Sequence, residues 1–326
     1  MFHDRQPVIC CGEILIDLIV SDGSTTLLDA RSFEIHAGGA PANVAVGLAR
    51  LGVPTRFCGV VGDDPLGARL RSTLHREGVD TSALRTVPEV ATTIAFAWKD
   101  EVGDGHFRLY RHADQLLDAD DVHAAGIEHA TALVAGSVAL SGRPSAESVQ
   151  LAVETAVQAG VPIVFDVNIR PSLWSDRESI RAICLPVMEA ARIVKLSLDD
   201  ARHLGFNWQD PGSVIAEVAV SDGQFVVVTD GARGAWAGMR RHDELRLLPH
   251  VPAFDVEAVD PTGAGDAFTA ALICRFRDRE WLSMDRDDIR YAAAAGALAT
   301  TRPGAMTSLP DQIVIDAFLA SQSGVS

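Results

Sequence analysis

The chain has 326 residues with 44 acidic against 28 basic side chains, a formal charge of −16 that repels nucleic-acid phosphates and anionic membrane surfaces. Hydrophobic residues make up 48% and charged residues 22%, which excludes disordered and low-complexity architectures. The length allows one large domain or two ordinary ones, and with no linker or internal repeat to divide it, a single domain over residues 1–326 is expected.

The five cysteines, Cys10, Cys11, Cys58, Cys184 and Cys274, are odd in number and lack CxxC spacing, so they point to neither a disulfide framework nor a zinc site. A reduced, cytoplasmic protein is expected. The first apolar run is broken by Glu13 and Asp17, unlike a signal peptide or a membrane span.

In chain order, β-rich apolar runs at 7–20, 55–61, 131–135, 161–167, 192–196 and 225–229 predict strands. Helical spacing predicts helices at 41–51, 66–77, 145–159, 177–190 and 211–220, and then at 266–278, 287–300 and 310–321. Strand alternating with helix predicts a parallel sheet covered on both faces. Two stretches break the rhythm. Residues 92–111 read as a hairpin with a turn near Gly103 and Gly105, and 21–36 carries the turn signal Ser21-Asp22-Gly23. The two are expected to pair as a small separate β layer, a lid or a dimer surface.

The chemistry concentrates in two Gly-rich strand-to-helix passages. In Asp260-Pro261-Thr262-Gly263-Ala264-Gly265-Asp266, two glycines run into a helix whose first turn carries an acid. Amides without a flanking Cβ, added to the positive end of a helix dipole, bind anions such as a phosphoryl group in transfer. Asp266 is then placed to accept a proton from an attacking alcohol, although an aspartate capping the helix fits the same residues. In Gly38-Gly39-Ala40-Pro41-Ala42-Asn43 a Gly-Gly pair opens a helix with proline in its first turn. Asn43 there either meets a polar ligand or serves as a cap.

Residues 38–67 together with 260–273 resemble the two signature regions of the ribokinase-like carbohydrate kinases, the PfkB family. The similarity continues through Gly12-Glu13-Ile14-Leu15-Ile16-Asp17 and Asp166-Val167-Asn168-Ile169-Arg170. It implies an α/β fold, a ribokinase-like three-layer α/β/α sandwich with a mostly parallel central sheet and a small β-sheet lid from about 21–36 and 92–112. By the same match Asp266 is the general base, and the Gly263, Ala264 and Gly265 amides hold the transferring phosphoryl group. Asp17, Gly38, Gly39 and Asn43 hold sugar hydroxyls. The turn Thr229-Asp230-Gly231-Ala232-Arg233-Gly234 resembles the nucleotide turn, giving Thr229, Gly231 and Gly234 as nucleotide residues, with Asn168 and Lys195 beside them. The alanine-rich helix at 292–300 is expected near adenine. Asp260 and Thr262 fall where family members bind a monovalent cation such as potassium, and Asp260 equally suits a turn cap.

ATP brings Mg²⁺ with it. In Lys195-Leu196-Ser197-Leu198-Asp199-Asp200, Leu198 stands where an acid is common, leaving Asp199 or Asp200 as the acids that could organise the metal. Lys195 is one of only two lysines, the other being Lys99. Lys195 and Arg170 either offset phosphate charge or form surface ion pairs. The segments 166–174, Tyr110-Arg111 and Gly136-Ser137 resemble the fructokinase and 2-keto-3-deoxygluconate kinase branches. Fructose phosphorylated at its 6-hydroxyl is the expected reaction, with the keto acid as the alternative should Arg111 and Arg170 clamp a carboxylate. A homodimer through the β lid is expected. The sequence lacks the GxxxxGK[ST] of a P-loop kinase and the GxGxxG of a dinucleotide oxidoreductase. A catalytically silent sugar sensor on the same fold is the reading from another class.

Overall fold

The computed structural model describes residues 6–101 and 105–322. Its strands are β1 (Val8–Cys11), β2 (Leu15–Val20), β3 (Phe33–Gly38), β4 (Thr55–Gly62), β5 (Leu84–Val87), β6 (Ile94–Lys99), β7 (Gly105–Tyr110), β8 (Ala132–Gly136), β9 (Ile163–Asp166), β10 (Ile193–Ser197), β11 (Phe225–Thr229), β12 (Ala235–Arg241) and β13 (Glu244–Leu247). Nine form one sheet in the order β13-β12-β11-β10-β9-β8-β1-β4-β5. From β11 to β5 every pairing is parallel, while β12 and β13 close one edge antiparallel.

The sheet residues split by parity, as the two-residue side-chain period requires. Val8 and Cys10 pack on one face with the helices Ala40–Arg50, Ala264–Asp278 and Arg286–Ala299. Ile9 and Cys11 pack on the other with Ser145–Ala159, Arg177–Ala190, Leu198–Leu204 and Pro211–Val218. Burial on both faces explains the unbroken apolar runs of β8 and β11. It also yields the expected three layers. The largest fully buried side chains include Phe57, Phe165, Phe225 and Phe276, each contributing about 1.5–3 kcal/mol on transfer from water.

The 7–20 run is not one strand. The chain breaks at Gly12, where a Cβ would lie 2.8 Å from Pro41 Cγ, and after Ile14 it enters a second sheet as β2. That sheet has the order β3-β2-β6-β7. The two lid segments therefore do not pair with each other directly. They flank β2, whose pairing with β6 is parallel, a long-range contact that no hairpin signal encodes. β7 pairs antiparallel with β6 as a hairpin requires, and the expected turn at Gly103 lies outside the described residues. β5, β12 and β13 were not foreseen, because they are short or interrupted at the sheet's edges. No helix among the described residues is long and apolar enough to cross a membrane.

Candidate active site

Parallel strands present all their carboxyl ends at one edge, where ligands of open α/β sheets bind. At this edge β1 leads into Glu13, β9 ends at Asp166 opposite Lys195, and Ser197 of β10 stands opposite Thr229 of β11. Two helix N-termini aim at the same edge. Helix Ala40–Arg50 starts after Gly39, and Ala264–Asp278 after Gly263.

Between this edge and the lid lies a cavity of about 250 Å³. Its core wall comprises Glu13, Val138, Asn168, Arg170 and Lys195. The helix openings add Gly39, Ala40, Asn43, Pro261, Thr262, Gly263, Gly265 and Asp266, and the lid adds Leu15, Asp17, Ala95, Phe107 and Leu109. Asp17 is opposite Ala95 on β6, which is opposite Leu109 on β7, so these residues share the lid's inner face. Gly38 lies beside the cavity rather than in its lining. A Cβ there would sit 2.0 Å from Asp17 Oδ2, so its smallness makes room for the carboxylate.

Asn43 and Asp266 are 223 residues apart in sequence, yet Asn43 Nδ2 donates to Asp266 Oδ2 at 2.7 Å. Among the described residues Asn43 Oδ1 is buried without a hydrogen-bond partner, as is Glu13 Oε2. Burial, reinforced by Asp166, pushes Asp266 up to about 6 against the opposing Asn43 bond, Lys195 and Arg170. Burial likewise pushes Asp17 to about 7 against Arg170, with Asp266 and Asp260 adding to it. Glu13 also rises to about 7 through burial, although the Ala40 amide, which donates to its Oε1 at 3.1 Å, opposes this. A carboxyl group with a pKa near 6 ionises readily at neutral pH while keeping enough basicity to take a proton.

Lys195 is buried, with Nζ 3.1 Å and 3.3 Å from the two oxygens of Asp166, so it is no surface ion pair. Burial alone would lower its pKa, but Asp166, Asp200 and Asp266 outweigh that and hold it above the ordinary lysine value. Arg170 donates to Asn168 Oδ1 at 2.7 Å and lies 5.7 Å from the Phe107 ring centre. Asn168 itself has φ of 40°, a sparsely populated backbone conformation of the kind that collects at functional sites.

Other expected residues stand apart from the cavity. Arg111 donates to Asp114 Oδ2 at 2.7 Å, to Ser141 Oγ at 2.7 Å and to the Val138 carbonyl at 2.9 Å. These bonds join the end of the lid hairpin to the segment after β8. Ala264 is not in the lining, and neither are Thr229, Gly231 and Gly234, which form the turn ending β11 further along the same strand-end edge. The Asp260 carboxylate accepts from Thr262 N at 3.0 Å, Thr262 Oγ1 at 2.7 Å and Gly304 N at 2.9 Å, the pattern of a turn cap. Among the described residues no group of three or more His, Cys, Asp or Glu is placed to hold a metal. Of the two acids after β10, Asp200 accepts from Ser197 N at 2.8 Å, Ser197 Oγ at 2.7 Å and Ile169 N at 2.7 Å, whereas Asp199 is exposed beside Arg202. The helix around 292–300 packs mainly in the core, with Ala292, Ala294, Ala295 and Ala299 buried.

Sequence reasoning missed Glu13, Asp166, Thr269 and the lid's Phe107 and Leu109 as parts of this region. Asp166 and Glu13 did carry a signal, each being an acid at the end of an apolar run.

The sequence matches the pfkB family carbohydrate kinases over residues 5–312. Fructokinase-1 of Zea mays is 34% identical over 318 residues, 96% of this chain and 97% of that protein. A crystal structure of fructokinase with bound ATP from Xylella fastidiosa superposes with a TM-score of 0.82 at 29% identity, covering 98% of this chain and 99% of that one. A double mutant of fructokinase from Vibrio cholerae O395, in a form with fructose, ADP and potassium ion bound, gives 0.79 at 31% identity, covering 98% of this chain and all of the other.

Proposed function

The chain belongs to the pfkB family of carbohydrate kinases, phosphotransferases acting on a sugar hydroxyl, and from that premise we propose that it is a cytoplasmic fructokinase that transfers the ATP γ-phosphoryl group to the 6-hydroxyl of fructose. The observation that carries the choice of sugar is the engagement of Arg111 with the fully buried Asp114 carboxylate. A 2-keto acid needs a pair of free cations for its carboxylate; Arg111 is not in the cavity lining, and of the two lining cations Arg170 stands beside Asn168 while Lys195 is already paired with Asp166, alongside the acids Glu13, Asp17 and Asp266. A neutral ketohexose with many hydroxyls suits that balance better.

In this reading fructose lies under the lid with its hydroxyls on Asp17, Asn43 and the Gly39 backbone. Asp266 takes the proton of the 6-hydroxyl as that oxygen attacks phosphorus. The amides at Gly263–Gly265 and the positive end of helix Ala264–Asp278 receive the charge on the phosphoryl oxygens. The Thr229–Gly234 turn meets the nucleotide beyond the cavity. Mg²⁺, which neutralises phosphate charge when bound, would be held by the phosphates and water, because Asp200 has its oxygens committed to Ser197 and Ile169. A potassium ion would find Asp260 and Thr262 already bonded to each other, so backbone carbonyls would supply further ligands.

The retention of Asp266 in a buried cavity with a raised pKa favours an enzyme over a silent sensor. Ile35 and Tyr110 of the lid are exposed apolar residues on its edge strands, which favours a homodimer through this sheet. Light scattering of a dimer would agree, and a monomer at micromolar concentration would reject that part of the proposal.

The test is ADP release with Mg-ATP against fructose, 2-keto-3-deoxygluconate, ribose, adenosine and tagatose 6-phosphate, with and without potassium. Preferred turnover of fructose supports the proposal. A preference for the keto acid would mean that Arg111 leaves Asp114 on binding, and silence across the panel would favour the sensor.

A further inference from the structure

Gly265 lies in the first turn of helix Ala264–Asp278, where alanine would be the better helix former and no unusual backbone angle requires glycine. The nearest neighbour of that position lies across the sheet edge. A Cβ on Gly265 would sit 3.0 Å from Lys195 Nζ, a tight approach that would make the ammonium shift by a few tenths of an ångström. Lys195 reaches this point from β10 because Asp166, directly opposite on β9, holds its Nζ with both oxygens. Asp166 is fixed in turn by Thr269, whose Oγ1 donates to Asp166 Oδ2 at 2.7 Å. Thr269 is fully buried and stands three residues after Asp266, on the same side of the helix. One helix thus carries both the proton acceptor and the hydroxyl that orients the cation's anchor.

We propose that Thr269 and Asp166 are positioning residues that hold the Lys195 ammonium against the Gly263–Gly265 loop, where it donates to the oxygens of the phosphoryl group in flight. This rests on the sugar-kinase reading of the same cavity. As the sugar oxygen bonds to phosphorus, its proton passes to Asp266, the bond from phosphorus to the bridging oxygen breaks, and that electron pair leaves with ADP. Lys195 keeps its proton throughout and neutralises charge. A buried lysine matched to Asp166 alone would serve only to balance that carboxylate; its place in the cavity lining beside Gly263 and Gly265 is what gives the ammonium a second task.

The experiment compares Thr269→Val, Thr269→Ser, Lys195→Met, Gly265→Ala and the Lys195→Met/Gly265→Ala pair with the wild-type enzyme. It measures kcat, fructose KM, and affinity for ADP with and without aluminium fluoride in the presence of fructose. Lys195→Met is expected to lower kcat by roughly 10²–10³-fold, the scale for one lost transition-state donor. Thr269→Val should lower it about tenfold, the scale for one lost hydrogen bond, with fructose KM held and Thr269→Ser restoring it. Affinity for the aluminium fluoride complex should fall in step while that for ADP alone does not. Gly265→Ala should add nothing in the Lys195→Met background. Equal kcat in Thr269→Val and wild type, no rescue by serine, or additive losses in the pair would overturn the proposal. Should Lys195→Met not fold, the two Thr269 variants decide it alone. A wild-type enzyme that prefers another sugar rejects the fructokinase reading, and the same variants then test the proposal with that sugar.

Discussion

Replacing Asn43 with leucine removes the donor that faces Asp266 Oδ2 at 2.7 Å and keeps a side chain of similar volume, so water does not enter to replace it. The ionised carboxylate is the form that accepts a proton, so kcat/KM should rise with pH through an apparent pKa near 6 and level off above it. Asn43 stabilises that ionised form. A hydrogen bond to a charged group contributes about 1.5–3 kcal/mol, and at 1.36 kcal/mol per unit its loss should raise the apparent pKa by about one to two units. The acid limb of Asn43→Leu is therefore expected to move up toward about 7–8. Lost sugar contacts will lower the whole profile, but the position of the limb is independent of its height. The assay is kcat/KM for fructose from about pH 5 to 9 in buffers of constant ionic strength. A limb that stays in place, or moves to lower pH, would refute the assignment of Asp266 as the titrating base.

Asp266→Asn should cost roughly 10²–10⁴-fold in turnover while calorimetry still detects fructose binding, because the general base is lost and the cavity's shape is kept. Gly39→Ala should destabilise the protein by at least about 1–2 kcal/mol in denaturant unfolding, since Gly39 has φ of 105° and the new Cβ would lie 2.5 Å from the Glu13 carbonyl oxygen; wild-type stability would contradict the requirement for glycine at this turn. Asp17 is raised from 3.8 to about 7 by burial, so the native state binds more protons than the unfolded chain between those values, and stability should decline as pH rises through that window. Asp17→Asn should flatten this decline in melting temperature, and an unchanged slope would argue against it.

Much of the fold was legible because the local signals agree. Apolar runs buried on both faces read as strands, and helices 145–159 and 177–190 matched their spacing to the residue. The break at Gly12 was not legible, because it depends on the approach of Pro41, and an apolar run continues on both sides of it. The parallel pairing of β2 with β6 depends on contacts about 78 residues apart in sequence that periodicity does not encode. In the site, Asp266, Asn43, Asp17 and the Gly-rich loop were legible as motifs. Their mutual bonds were not, nor was the chain from Thr269 through Asp166 to Lys195, which spans more than a hundred residues in sequence. Arg111 illustrates the converse, since its residue type suggested a ligand for an anion, whereas the ion pair with Asp114, three residues on, depends on how the buried segment folds.

The most direct test of fructose phosphorylation at the 6-hydroxyl is to identify the product made from ATP and fructose by ¹³C and ³¹P nuclear magnetic resonance. Fructose 6-phosphate, formed in equal amount with ADP and dependent on Asp266, is the expected product. Phosphate on a different hydroxyl, or ADP formed with no phosphorylated sugar, would contradict it.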